Sequence, residues 1–377
     1  MLARVAVTPS PTPGPVPPAV ITGSAQAFPP VLSQLDLWDG YFGPLLGGDR
    51  WARRVFLHAG VERRHCVIDP RYEDVSGWST AARMRRYADE GAALAKAAVA
   101  GALDDAGVGA DRVGLLAVAS CTGYAAPGID VRLAGDLGFG PGTQRLLVGH
   151  MGCHAAIPAL GAVADHARAR GSVAVLLCLE LTSLHLQADL GRPGERPRAV
   201  DLDQLVSHAL FGDAAAAVVV EPAGAALAGP GRLRLVDVAA CSDPATAGLM
   251  TWELTDAGFR MTLSRQVPDV LARHVAGLVD LLCQRNGRDR EEIAGWAVHP
   301  GGPRVLDVVA DRLGLPAEAL ADSRGVLAEH GNCSSATILV VLDRLTRDRC
   351  LRAGQAVVAL AFGPGLTLYA ALLEATA

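Results

Sequence analysis

QRLLVGHMGCHAAIPAL, residues 144–160, decides how this 377-residue chain is read. A short apolar run, a glycine-containing turn and an alanine-rich segment follow one another. That order predicts a buried strand at 144–149, a sharp turn, and a long helix to about residue 169. Cys153 stands at the junction. A thiol at a helix N-terminus gains thiolate character from the free N–H groups and the dipole, so Cys153 is predicted to titrate below the free-thiol value of about 8.5. The plain alternative is a small packed thiol, as most free cysteines are.

Outward from this junction the pattern repeats. VGLLAVAS (113–120), VAVLLCLE (173–180) and AAAAVVVE (214–221) are continuous apolar runs, the mark of strands buried on both faces. Residues 88–106 and 129–137 read as helices between them. A second series opens near residue 232 with RLRLVDVAA and continues through a helix near 268–284 and the strand GWAVH (295–299). Helices near 303–313 and 334–346 and strands at 356–362 and 367–373 close it. Alternating buried strands and helices predict a mixed α/β fold with layered sheets. FGDAAAAVVVE (211–221) and FGPGLTLYAALLE (362–374) end the two series alike and point to an internal duplication. The division expected is a proline-rich, disordered extension at 1–18, one half at 19–225 and a second at 226–377.

Composition narrows the function classes. Half of the residues are hydrophobic, only 19% are charged, and the net charge of −5 gives no support to a nucleic-acid partner, which would need a basic face. No uninterrupted apolar stretch of about 18 residues suggests a membrane span, and MLARVAVTPSPTPGPVPP lacks the apolar core of a signal peptide. The eight cysteines include no CxxC pair, so reduced thiols in the cytoplasm are expected rather than a disulfide framework. A metal site on His150, Cys153 and His154 is disfavoured, because adjacent residues do not easily face one ion; no metal is expected.

Two further residues invite chemistry. His299 ends GWAVH and enters PGGP, the carboxyl end of a buried strand, where α/β folds place reactive groups; a capping or core histidine is the alternative. Asn332 lies in EHGNCSSAT ahead of a helix, where asparagine is also a good N-cap. Cysteine, histidine and asparagine, each on a glycine-flanked loop, form a nucleophile, base and orienting-donor set. The loop AFGPGLT (361–367), with Gly365, lets backbone N–H groups approach a substrate.

At these residues the chain resembles the type III polyketide synthases, the chalcone synthase-like branch of the thiolase-fold condensing enzymes. The matching phrases are GC at 152–153, ALFGDAAAA at 209–217, HPGGPRVLD at 299–307, GNCSSAT at 331–337 and FGPGLT at 362–367, in the family's order over roughly residues 19–375. The resemblance implies a thiolase-like five-layered αβαβα fold from two duplicated halves, a homodimer, and a nucleophilic Cys153 assisted by His299 and Asn332. It implies acyl-CoA and malonyl-CoA as substrates, iterative decarboxylative condensation followed by cyclisation or release, and no metal or redox cofactor. Phe211 matches the family's aromatic gatekeeper, otherwise an ordinary core phenylalanine, and Arg54 matches a coenzyme A phosphate contact. Two neighbouring family lysine positions are Trp51 and His58 here. Met261 stands at the second gatekeeper position, Cys121 where chalcone synthases have threonine, and His185 at a wall position usually held by a small residue. Trp252 falls near a family glycine; with His185 it implies a confined chamber and a small product. Ser334 and Glu180 match a pair that orders a water and influences ring closure; with a thiol at 121, a weaker hydrogen-bonding group, that network is not expected to operate. The alternatives on the same scaffold are a ketoacyl-carrier-protein synthase III-like single condensation, a non-decarboxylating acyltransferase, and a catalytically silent scaffold protein.

Overall fold

The computed structural model describes residues 18–187, 202–223 and 232–376. Of the proline-rich extension expected at 1–18, residues 1–17 lie outside the described residues.

The strands are, in chain order, β1 (Ala19–Ala27), β2 (Val31–Ser33), β3 (Arg63–His65), β4 (Val113–Ala119), β5 (Gln144–Val148), β6 (Val173–Glu180), β7 (Ala214–Pro222), β8 (Leu233–Ser242), β9 (Met250–Thr255), β10 (Gly258–Leu263), β11 (Ile293–Val298), β12 (Ala356–Gly363) and β13 (Thr367–Ala375). Nine of them form one sheet in the order β11-β12-β13-β8-β1-β7-β6-β4-β5. The order contains the same motif twice. β1 pairs antiparallel with β7, β7 antiparallel with β6, and β6 parallel with β4. Likewise β8 pairs antiparallel with β13, β13 antiparallel with β12, and β12 parallel with β11. The two halves meet through a short ladder between β1 and β8, Ala19–Ile21 against Leu233–Leu235.

Three apolar cores hold five layers together. The helix Thr80–Ala106 covers the outer face of the first half, and the helices Val267–Arg285 and Pro303–Leu313 cover that of the second. The helices Ala156–Arg170 and Ala336–Asp348 lie between the halves, in the central core. Every residue from Ala336 to Leu342 is buried, as a helix clad on all sides by sheet must be. This is the thiolase-like five-layered αβαβα arrangement. The loops that enter the two central helices carry Cys153 and Asn332, and β11 delivers His299 beside them.

Several elements depart from the sequence reading, which has no strand at Ala19–Ala27 and no helix at Arg50–Leu57, Leu202–Leu210 or Ala321–His330. QRLLV is a strand, but it is the edge of the sheet and its side chains are mostly exposed. The helix expected from residue 88 begins at Thr80, eight residues early, capped by Ser79; its first turns carry Arg83, fully buried, whose guanidinium donates to the carbonyls of Val75, Ser76, Trp78 and Leu184. The hairpin β9–β10, which carries Trp252 and Met261 directly opposite one another, is an addition to the layers that periodicity did not reveal. The helix Ala336–Asp348 has its N-cap at Ser335, so Asn332 is not its cap.

Candidate active site

Cys153 sits in a single tight turn, Gly152–His154, and the α-helix proper begins at Ala156. Gly152 has φ +69°, and a Cβ there would lie 2.7 Å from Pro364 Cδ. From the other side a Cβ on Gly363 would meet His154 Nδ1 at 2.7 Å and Cys153 N at 3.3 Å. Only glycine at both positions lets the FGPG loop close on the nucleophile turn.

Cys153 (6% exposed), His299 (1%) and Asn332 (3%) line one cavity of about 290 Å3. His299 continues β11, its N–H donating to Leu360 O at 2.8 Å, and its ring meets Phe362 edge-on at 5.6 Å. Neither imidazole nitrogen has a hydrogen-bond partner although both are buried. Asn332 is held at its backbone, donating to Leu210 O at 2.8 Å and accepting from Gly212 N at 3.0 Å, a bridge that ties it to Phe211. Its Oδ1 accepts from Ser334 N at 2.9 Å. With the oxygen so engaged, the Nδ2 amide is the group left to face the Cys153 thiol, whose pKa it helps to hold down. A buried imidazole with both nitrogens unpaired is costly unless something enters the cavity to pair with it.

The thiol corrects the sequence expectation. Burial pushes Cys153 up to about 12, against side-chain contacts from Ser334 and Asn332 that pull it down, with Glu180 opposing them. Burial, aided by the nearby His154, pushes His299 down to about 3. Burial thus favours the neutral form of both groups. The helix dipole counts for less than expected because Cys153 precedes the first residue of the α-helix by three positions.

Phe211 and Met261 line three cavities: the large one, a second of about 50 Å3 and a third of about 20 Å3. The large cavity extends from Cys153 to the exposed residues His58, Arg265 and Arg304, so it is the way in from the surface. The smallest adjoins Cys153 and is walled by Cys121, Thr182, Trp252 and Ser334. The wall is rigid. Trp252 Nε1 donates to Cys121 O at 2.7 Å, and its indole stacks on Phe259 at 5.6 Å. His185 donates from Nε2 to Thr122 O at 2.7 Å and accepts at Nδ1 from Phe259 N at 3.1 Å. Burial lowers His185 to about 4, which keeps it in that neutral tautomer.

Cys121 contacts both members of the Ser334 and Glu180 pair. Its Sγ lies 3.4 Å from Ser334 Oγ and 3.5 Å from Glu180 Oε1. Thr122 Oγ1 and Ser335 Oγ donate to the same carboxyl group at 2.8 and 2.5 Å. Burial raises Glu180 and, with Glu180 beside it, Cys121 as well. Gly365 and Arg54 line none of these cavities; Gly365 turns the FGPG loop at φ +83°, and Arg54 is exposed on the helix Arg50–Leu57.

Two supporting residues escaped the sequence reading. Arg64 is 3% exposed and donates to the carbonyls of His208, Ala209 and Phe211 and to Gln34 Oε1, which fixes the Phe211 loop from behind. Asp213, fully buried, accepts from Ser183 N, Ser183 Oγ, Thr182 Oγ1 and Val67 N. Charged residues within ERRH and FGDA carry no local sign of burial. Among the described residues no group of histidine, cysteine and carboxylate side chains is placed to hold a metal, and no helix is long and apolar enough to cross a membrane.

The family model for the N-terminal domain of chalcone and stilbene synthases matches residues 69–224, and that for their C-terminal domain matches residues 236–377. A 1,3,6,8-tetrahydroxynaphthalene synthase of Streptomyces peucetius subsp. caesius is 36% identical over 331 residues, 87% of this chain and 85% of that one. The alpha-pyrone synthesis polyketide synthase-like Pks18 of Mycobacterium tuberculosis is 31% identical over 96% of this chain and 93% of its own. Among solved structures, PKS-I from the brown alga Ectocarpus siliculosus superposes with a TM-score of 0.86 at 24% identity, covering 97% of this chain and all of that one.

Proposed function

The chain belongs to the chalcone and stilbene synthase family and is a type III polyketide synthase, and on that premise we propose that it condenses malonyl-CoA onto an acyl group held by Cys153. Cys153 Sγ attacks the thioester carbonyl of an acyl-CoA and passes its proton to His299. Coenzyme A leaves as the thiol, and the acyl group remains as an enzyme thioester. Malonyl-CoA then enters with its thioester oxygen between His299 and Asn332 Nδ2. Its C–C bond to the carboxylate breaks, carbon dioxide leaves, and the electron pair becomes an enolate stabilised by these two donors. In comparable sites one such donor supplies about 3–4 kcal/mol. The enolate carbon attacks the Cys153 thioester, the C–S bond breaks, and the longer chain returns to Cys153 for another round before cyclisation or release. Carbon dioxide loss generates the carbanion, so the route calls on no metal or redox cofactor.

One observation carries this reading: a thiol, an imidazole with both nitrogens unpaired and an amide side chain converge, all buried, on one cavity that reaches the surface. The confined space behind Trp252 and His185 favours few extensions and a small product. A homodimer is proposed on the edge strand β5, which exposes Leu146 and Leu147 at 40% and 58%, an unpaired edge that a second copy suits. A cytoplasmic location is proposed on the cysteine usage.

Incubation with malonyl-CoA and a panel of acyl-CoA starters, with mass spectrometry of products, tests the reading. Carbon dioxide release with multiply extended products is expected. A single extension, or turnover only of carrier-protein-bound malonate, favours a synthase III-like enzyme. Acyl transfer without carbon dioxide favours a simple acyltransferase, and no turnover of any thioester favours a scaffold protein.

A further inference from the structure

The helix Arg50–Leu57 buries Ala52 and Phe56 completely and sends Val55, with the capping residue His58, to the rim of the large cavity. Trp51 precedes Val55 by four residues and His58 by seven, so it stands on the same face, one turn farther out. Its indole is 45% exposed, and no other ring packs against it among the described residues. Around it Arg50, Arg53 and Arg54 are exposed on the same helix, and Arg265 is exposed on the opposite rim. None of these four guanidinium groups forms an ion pair among the described residues, in a chain whose net charge is −5. A free aromatic face beside unpaired guanidinium groups is the combination that recognises a nucleotide: the base stacks and the phosphates find charge.

We propose that Trp51 is the platform for the adenine base of coenzyme A, stacked outside the cavity while the pantetheine arm runs inward to Cys153. This rests on the acyl-CoA reading above. It makes Trp51 a binding residue for the carrier portion of the substrate, remote from the reacting atoms. Stacking energy on one base translates into about tenfold in affinity.

The test compares malonyl-CoA with malonyl-N-acetylcysteamine, which keeps the thioester and lacks the nucleotide, in wild type, Trp51→Ala and Trp51→Phe. Trp51→Ala should raise KM for malonyl-CoA about tenfold, with kcat at the wild-type value and KM for malonyl-N-acetylcysteamine unmoved, and Trp51→Phe should recover most of the loss. An unchanged KM for malonyl-CoA overturns the assignment, as does an equal rise for both thioesters, which reports a displaced helix. Calorimetric titration with coenzyme A and with phosphopantetheine decides the point without turnover. Trp51→Ala should weaken only coenzyme A; equal affinities in wild type and variant refute the stack. A wild type that binds coenzyme A through Trp51 yet turns over neither thioester defeats the reaction reading and leaves the binding assignment standing.

Discussion

Asn332→Asp separates catalysis from architecture at one atom. The backbone of residue 332 pairs with Leu210 O and Gly212 N at 2.8 and 3.0 Å, and neither bond involves the side chain. Its Oδ1 accepts from Ser334 N at 2.9 Å, which a carboxylate oxygen does equally well. Only Nδ2 changes, from a donor to a negatively charged oxygen facing the position of the enolate. Loss of one oxyanion donor costs about 2.7–4 kcal/mol, and like-charge repulsion adds to it, so malonyl-CoA decarboxylation should fall by at least a hundredfold. Carbon dioxide release measured beside thermal melting and intact mass is the assay. The expected result is slow decarboxylation with Cys153 still accepting a starter acyl group. Decarboxylation at the wild-type rate in a variant that melts normally would reduce Asn332 to a residue that shapes the Ser334 turn.

Cys153→Gln should abolish condensation yet retain malonyl-CoA decarboxylation, because its amide mimics an acylated cysteine while His299 and Asn332 still hold the enolate; product masses and carbon dioxide release check this, and extended products would refute it. Trp252→Gly should join the spaces of about 20 and about 50 Å3 and lengthen the products, so an unaltered product spectrum by mass spectrometry would remove Trp252 from chain-length control. Iodoacetamide inactivation followed against pH should show its inflection displaced upward in Ser334→Ala, since that side chain pulls the buried thiol down; coincident inflections would uncouple the two residues. Gly363→Ala should lose activity, its Cβ colliding at 2.7 Å with His154 Nδ1, whereas Gly365→Ala, with its nearest atom at 3.7 Å, should mainly lower Tm, because a non-glycine residue at φ +83° costs about 1–2 kcal/mol. Equal activities of the two variants would contradict that distinction.

The layered fold was legible because β4, β6, β7 and β12 are buried on both faces and read as unbroken apolar runs. The same signal misled at QRLLV, since an apolar edge strand looks like an interior one. Charged groups inside the fold were the other blind spot. Arg83, Arg64 and Asp213 are buried because the backbone around them supplies partners, and those partners lie far away in sequence. Cys153, His299 and Asn332 were legible as glycine-flanked loop residues, yet their protonation was not. Acidity at Cys153 depends on how much water the closed FGPG loop excludes, a tertiary quantity that no local helix rule reports. The contact of Cys121 with Ser334 and Glu180 likewise joins residues 213 and 59 positions apart.

Intact-mass spectrometry of wild type and Cys153→Ala after exposure to an acyl-CoA starter tests the central claim most directly. The wild type should gain the mass of one acyl group, mapped by peptide digestion to Cys153, and lose it on addition of malonyl-CoA as extended product appears. Cys153→Ala should gain nothing. An acyl adduct on the alanine variant, or an adduct on the wild type mapped only to another residue such as Cys121, would contradict the account.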